Sequence, residues 1–500
     1  MAETPRPGER VELFEVEDAW LVDPANGREG RGSLRVEGGR IVTVEWAGEP
    51  SGGAAAHEPS RTEPRPERPT VIVAPAFVDL HVHLRQPGRE DAETVATGLA
   101  AAAHGGFGTV CAMANTTPAI DSTGLVEAVQ ELARASGSPV RLFTYGATSA
   151  GRAGQTLSQM GEMADAGAIG FSDDGSPVAD ASLFRNALAY AGALGRMLVE
   201  HPEDPALTKG AEANEGLVAT ILGLKGWPAA GEESAVARDL AILADVVASY
   251  PASAAPHLHL THLSTAGSID LVRRAKAAGL PVTCDVTPHH LALHEGWVAG
   301  DRRFAWEAAD ALWVGGRADA APYDQSTRVN PPLRTPADAL ALWSGLRDGT
   351  VDAIVTDHAP HTQVDKLVEY GDAANGISGI ETACSLVLAG VEAGLLPLRD
   401  AIRALTLGPR RVLGSVVATG RRGASESLVP GLVEGAAANL VVIDTADGWD
   451  VTPETLRSKG KNSPLLGRRL RGRVLATLVD GRFAYAELGG VEAALAAAAG

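Results

Sequence analysis

Phe77-Val78-Asp79-Leu80-His81-Val82-His83-Leu84-Arg85 decides how the rest of this chain is read. A short run suited to a buried strand leads into two histidines spaced i, i+2, and on a strand that spacing puts both imidazoles on one face. Neutral imidazole is the commonest protein ligand for zinc and similar ions, so two of them ending a strand make half of a metal site. A single His-x-His is weak evidence, because most such histidines are ordinary polar residues. Its weight depends on what the other strand ends carry.

From Phe77 onward, short apolar runs alternate with segments rich in Ala, Leu and Glu. The runs are 77–81, 109–113, 140–145, 168–172, 197–201, 257–262, 282–286 and 353–357, with helix-like stretches at 93–103, 124–135, 181–194 and 265–278. Eight such units predict parallel βαβ repeats closing into a (β/α)8 barrel. An open doubly wound sheet is disfavoured, because no Gly-rich dinucleotide fingerprint follows the first strand. In a barrel all C-terminal strand ends meet at one mouth. Reading them off brings together His81 and His83, Asn115, Asp173-Asp174, His201, His262, His289-His290 and Asp357. Taken singly, each is better read as a hydrogen-bonded core residue or a loop cap. Their shared position reverses that reading.

Such a set suits two metal ions: His81 and His83 with Asp357 for one, His201 and His262 for the other, and an acidic residue from Asp173-Asp174 between them. A divalent pair holding a hydroxide supplies nucleophile and electrophile together, with Asp357 as proton shuttle. The chemistry is metal-assisted hydrolysis of an amide, or its reverse. Arg85 offers a fork matched to a carboxylate if it points into the mouth; the competing reading is a surface ion pair with Glu90 or Asp91.

The flanks have another character. Residues 11–46 read as short strands with a Gly38-Gly39 hairpin, and 439–444 and 474–483 return to strands with an Asp480-Gly481 turn. Neither piece buries enough surface alone, so they are expected to pair into one small composite β domain. The division is 1–75 for its N-terminal part, with 47–69 a mobile surface loop; 76–420 for the barrel; 421–486 for its C-terminal part; and 487–500 for an Ala-rich tail. Residues 225–235 and 295–328 read as long connections, and Arg468, Arg469, Arg471 and Arg473 as solvated surface.

A chain of 500 residues, 45% hydrophobic and 21% charged, has ample material for a large core. A formal charge of −19 argues against nucleic acid or an anionic membrane as partner. Three cysteines without paired spacing and no apolar leader point to the cytoplasm.

Eight motifs in register carry a resemblance over essentially the whole chain: 77–88 (FVDLHVHLRQPG), 113–116 (MANT), 171–175 (FSDDG), 201–204 (HPED), 261–265 (THLST), 287–291 (TPHHL), 330–334 (NPPLR) and 356–361 (TDHAPH), continuing through 379–382 (GIET) to 458–464 (SKGKNSP). Together they resemble the dihydroorotases of the bacterial class I type, in the amidohydrolase superfamily. The resemblance implies reversible cyclisation of N-carbamoyl-L-aspartate to L-dihydroorotate in pyrimidine biosynthesis, and zinc, one or two ions per chain. It implies metal ligands at His81, His83, Asp174, His201, His262 and Asp357, with Asp357 the general acid/base. Substrate contacts then fall on His83, Arg85, Asn115, Asn330 and His361, and on Asn375-Gly376, where the family often has Phe-Gly. No lysine occurs in 168–175, so the carboxylated-lysine bridge of many superfamily members is not expected. Ala76, Ala114, Pro202 and Thr261 replace the residues usual at their positions, and these changes are expected to leave the chemistry intact.

Two alternatives remain. One is a hydantoinase, dihydropyrimidinase or allantoinase, against which Asp174 and Arg85 speak. The other is an inactive homologue scaffolding aspartate transcarbamoylase, against which six metal-competent residues speak. Some relatives work within such a complex, so a homodimer and that complex are both assemblies to test.

Overall fold

The computed structural model describes residues 5–47, 70–250, 256–308, 319–414 and 431–498. Three strands open the chain: β1 (Leu13–Asp23), β2 (Arg28–Glu37) and β3 (Arg40–Trp46), joined by tight turns. After β4 (Val71–Pro75) come the barrel strands β5 (Phe77–Val82), β6 (Phe107–Ala112), β7 (Arg141–Thr144), β8 (Gly170–Phe171) and β9 (Met197–Glu200). A two-stranded insertion, β10 (Ala213–Asn214) with β11 (Gly226–Trp227), precedes β12 (His257–Leu260), β13 (Val282–Val286) and β14 (Ala353–Ile354). The chain ends with β15 (Leu440–Asp450), β16 (Arg469–Val479) and β17 (Arg482–Ala486), and a helix over Leu488–Ala498.

The eight expected apolar runs each coincide in large part with a barrel strand, and the pairings are parallel throughout. Two bridges close the ring: Gly146 with Phe171 joins the end of β7 to β8, and Val82 with His358 joins β5 to the chain leaving β14. One buried cluster draws Val78, Leu80, Cys111, Met113, Ile169, Val199 and Val355 from around the ring, so apolar packing fills much of the barrel. A second cluster sandwiches the outer faces of the strands against the helices.

The composite sheet runs β17-β16-β15-β4-β1-β2-β3. Strand β4 is its seam, parallel to β1 on one side and antiparallel to β15 on the other. The two ends of the chain meet here: Gly8 N donates to Phe483 O at 2.7 Å, and Arg10 bridges Arg482.

Two connections differ from the sequence reading. Residues 225–235 are no long loop, because Gly226–Trp227 pairs with Ala213–Asn214 and Ala230 begins a 20-residue helix to Ser249. The Trp-Pro-Ala-Ala-Gly composition reads as irregular, yet Glu232 and Glu233 in the first turn favour a helix N-terminus. Residues 295–328 carry short helical turns at Glu295–Ala299, Ala305–Ala308 and Gln325–Thr327. Residues 309–318 of that stretch, and 48–69 of the expected surface loop, lie outside the described residues. Of the arginines read as solvated, Arg468 stacks on Trp297 and Phe304, and Arg473 pairs with Glu487. Among the described residues no helix is long and apolar enough to cross a membrane.

Candidate active site

The ends of β5, β8, β9, β12 and β14 converge as a barrel requires. His81 Nε2 and His83 Nε2 lie 3.2 Å apart, with Asp357 Oδ1 2.9 Å from His83 and 3.5 Å from His81. Asp174 Oδ2 is 3.4 Å from His81 Nε2. Its other oxygen faces the second pair, 3.2 Å from His262 Nε2 and 3.5 Å from His201 Nδ1, while those two nitrogens are 2.9 Å apart. Two groups of three potential ligands, His81/His83/Asp174 and Asp174/His201/His262, thus share one carboxylate. All of these residues are buried.

The outward nitrogens test whether this donor set fits metal. His83 Nδ1 lies 2.8 Å from Asn115 Oδ1, an acceptor. His201 Nε2 lies 2.8 Å from Glu203 Oε2, also an acceptor. His81 Nδ1 lies 2.8 Å from Thr261 Oγ1, whose hydroxyl donates to Asp285 at 3.1 Å and so is left accepting from the imidazole. These three outer nitrogens therefore carry the proton and their inner nitrogens present the lone pair, while His262 Nδ1 is buried with no partner among the described residues. That is the tautomer a metal needs, and the residues fit a pair of divalent ions.

Two residues beyond His83 stands a cation. Arg85 does not pair with Glu90 or Asp91. Its Nε donates to Pro360 O at 3.0 Å, and its Nη2 lies 3.2 Å from His361 Nε2. That same Nε2 lies 2.8 Å from Asn375 O. The structure sets the other expected contacts around them with specific bonds. Asn330 Nδ2 donates to Glu203 Oε2 at 3.0 Å, which ties it to His201. The Asn375 side chain accepts from Arg328 Nε at 3.0 Å, and Gly376 N donates to Arg328 O.

Residues 70–268 match the family model described as dihydro-orotase-like. The dihydroorotase of Anaeromyxobacter dehalogenans strain 2CP-C is 41% identical over 94% of this chain and 98% of its own length. That of Pelotomaculum thermopropionicum is 43% identical over 82% of this chain and 86% of its own. The chain belongs to the dihydroorotase family. It is thus a metal-dependent cyclic amidohydrolase by membership. Among solved structures, the L-hydantoinase (dihydropyrimidinase) from Arthrobacter aurescens superposes with a TM-score of 0.70 at 21% identity, covering 94% of this chain and 96% of that one. The dihydropyrimidinase from Brevibacillus agri NCHU1002 gives 0.69 at 18% identity, covering 95% of each. At that identity the likeness speaks for the fold.

Within this dihydroorotase-family site, charge is set by opposing effects. Burial would raise Asp357, but His83 Nε2 at 2.9 Å and the facing imidazoles of His81 and His262 outweigh it and hold the carboxylate ionised. Asp174 is likewise held well below the usual carboxylate range, against burial, by His81, His201 and His262. Burial lowers His201, yet Asp174 and Glu203 carry it up to about 10. With metal bound, that attraction goes to the ion instead. Burial, then the Arg85 charge, pushes His361 down to about 3, so it is neutral. Arg85 is lowered by burial to about 10 and keeps its charge.

The acidic pair separates cleanly. Asp173 turns away, accepting from Thr148 N at 2.8 Å and Ser149 N at 3.1 Å, and only Asp174 faces the imidazoles. His290 is bonded to Thr287 Oγ1 and Pro331 O, and His289 is buried without joining the ligand cluster. Sequence reasoning gave no role to Thr261, Asp285 or Glu203. Thr261 reads in the sequence as a replacement that leaves the chemistry intact, and in the structure its hydroxyl fixes the His81 tautomer. Glu203 had a signal, being spaced i, i+2 from His201 within the 201–204 motif. Asp285 accepts from His262 N at 2.5 Å and from Thr261, and lies on a different strand from both. Nothing local marks it.

Proposed function

We propose that this chain interconverts N-carbamoyl-L-aspartate and L-dihydroorotate in the cytoplasm, as a step of pyrimidine synthesis, using two zinc ions held by His81, His83, Asp174, His201, His262 and Asp357. Bound there, divalent ions lower the pKa of water and polarise the ring carbonyl. The protein's own groups do the rest. In ring opening, Asp357 takes the proton released by the attacking water and delivers it to the departing ring nitrogen. In cyclisation it takes the proton from the attacking ureido nitrogen and returns it to the departing hydroxyl, which leaves as water. Its ionised state at the lip of β14 suits it to begin ring opening as a base.

The observation that carries the substrate assignment is the unresolved contact between Arg85 and His361. Nε2 of a neutral imidazole is either a donor to Asn375 O or an acceptor from Arg85, never both. A carboxylate entering beside them accepts from the guanidinium and frees the imidazole to keep its carbonyl bond. Asn115 spends its Oδ1 on His83 and has its amide NH2 group to add. A ring carboxylate is what distinguishes dihydroorotate from hydantoin or dihydrouracil, and it favours this reading over the hydantoinase one. The small molecule is the partner; a homodimer and a complex with aspartate transcarbamoylase are proposals for size-exclusion and co-purification measurements.

The test follows dihydroorotate by ultraviolet absorbance with zinc-supplemented protein. Turnover is expected, and Asp357→Ala is expected to abolish it by at least about a thousandfold while retaining folded protein. Reaction of hydantoin or dihydrouracil without dihydroorotate transfers the chain to the hydantoinase reading. Metal-free, inactive protein is the outcome for the scaffold.

A further inference from the structure

Asn462 lies in the C-terminal segment between β15 and β16, far in sequence from every residue assigned to substrate, yet its buried side chain makes four bonds at the carboxylate end of the mouth. Its Oδ1 accepts from His361 N and from Ser378 Oγ, each at 2.8 Å. Its Nδ2 donates to Ala359 O and to Gly376 O, each at 3.0 Å. The side chain thereby spans two loops: the one that leaves β14 carrying Pro360 and His361, and the one carrying Asn375 and Gly376. Its own carbonyl accepts from Ser378 N at 3.0 Å, locking the second loop again.

The neighbouring glycine makes an independent case. A Cβ at Gly460 would lie 2.6 Å from Pro360 Cβ and 2.8 Å from His361 N, closer than side chains tolerate. The segment is therefore in full contact with the backbone that aims His361 and supplies Pro360 O to Arg85. It is also anchored from below: Glu93 takes Ser458 Oγ at 2.5 Å and Lys459 N at 3.1 Å, and Glu381 takes Arg457 N at 2.6 Å and Ser458 N at 3.0 Å.

We infer that Asn462 is a positioning residue for substrate carboxylate recognition, through which the segment between β15 and β16 sets the distance between His361 and Arg85. It touches neither substrate nor metal. The inference rests on the reading of Arg85 and His361 as the carboxylate receptor. Its signature is selective: misplacing the receptor weakens substrate binding, whereas Asp357, on the same exit from β14, is fixed separately by β13 and by the bridge from Val82 to His358.

The experiment measures kcat and KM for dihydroorotate in the wild type, Asn462→Ala, Gly460→Ala, Arg85→Met and the Asn462→Ala/Arg85→Met double variant, with melting temperature and bound metal as controls. Expected for Asn462→Ala is a KM raised about tenfold with kcat within about twofold, at unchanged metal content. Gly460→Ala, which pushes on the same backbone from outside, is expected to reproduce that split if Asn462→Ala does not fold. In the Arg85→Met background the Asn462→Ala loss is expected to vanish, since both act on one interaction. A KM left unchanged, or a loss that adds in full to that of Arg85→Met, overturns the inference. Failure of the wild type to turn over dihydroorotate overturns the functional reading beneath it instead.

Discussion

Arg85, His262 and Asp357 share a backbone feature that most residues avoid: each has a positive φ, of 59°, 41° and 45°. Left-handed conformations cost a non-glycine residue about 1–3 kcal/mol and persist where surroundings over-determine them. For His262 the surroundings are visible. Asp285 holds its amide at 2.5 Å and, through Thr261, also fixes His81 in the other ligand group. One carboxylate thus steadies both halves of the centre. Asp285→Ala is expected to weaken metal retention by about 10–100-fold, read as metal content after dialysis against a graded chelator series. Retention equal to wild type would make Asp285 a structural acid only. At this scale the sequence was informative where position did the work: His81, His201, His262 and Asp357 end apolar runs, and His83 follows the first of them by two residues. It was silent on Asp173 against Asp174, because neighbours on a strand end face opposite ways and one residue of register decides which faces the imidazoles. Thr261 and Asp285 were illegible for another reason, since their partners lie on other strands.

The elements themselves are short, and packing rather than length holds them. Strand β14 is two residues, Ala353–Ile354, yet it carries Asp357 at its exit because β13 and the bridge from Val82 to His358 fix it on both sides. Apolar runs revealed such strands better than propensity does. The helix Ala230–Ser249 was half hidden, its first turn disguised by Pro228 and Gly231. That helix also introduces a pH dependence. Asp239 on it is buried next to Glu200 of β9; burial raises both carboxyls, each against the pull of Arg238, and the negative charge of Asp239 raises Glu200 further. A carboxyl raised on folding keeps its proton after the unfolded chain has lost its own. Its contribution is therefore present in full below the ordinary carboxylate range and lost as pH climbs to the raised folded value. Asp239→Asn cannot ionise and escapes that loss. Its melting temperature is expected to gain about 2–4 °C on the wild type between about pH 5 and about pH 8. Parallel melting curves across that range would mean that Asp239 is already ionised in the fold.

On the scale of the whole molecule, the barrel and the composite sheet depend on each other. Phe77 begins the barrel two residues after β4 ends, and β4 lies between β1 and β15. Two flanking strand-rich pieces were readable as partners because neither had a core of its own. Their strand order and the seam at β4 were not, since pairing between segments some 370 residues apart leaves no local pattern. Ending the chain at residue 414 removes β15 to β17 and the 458–462 segment together. It exposes the edge of β4 and the apolar side chains of Val16, Leu21, Val71 and Val73, which share a buried cluster with the lost strands. Such a truncation is expected to be insoluble, or to lack a cooperative melt by calorimetry. A soluble truncation with a sharp transition would show the barrel folding on its own.

The bond from Gly8 to Phe483 has a topological meaning. Because strands from both flanks of the barrel already meet in one sheet at Gly8 and Phe483, the fold is in effect a closed ring. A linker between the two flanks would let new ends be cut elsewhere, for instance in the exposed turn at Gly137-Ser138 ahead of β7, without asking any strand to change neighbours.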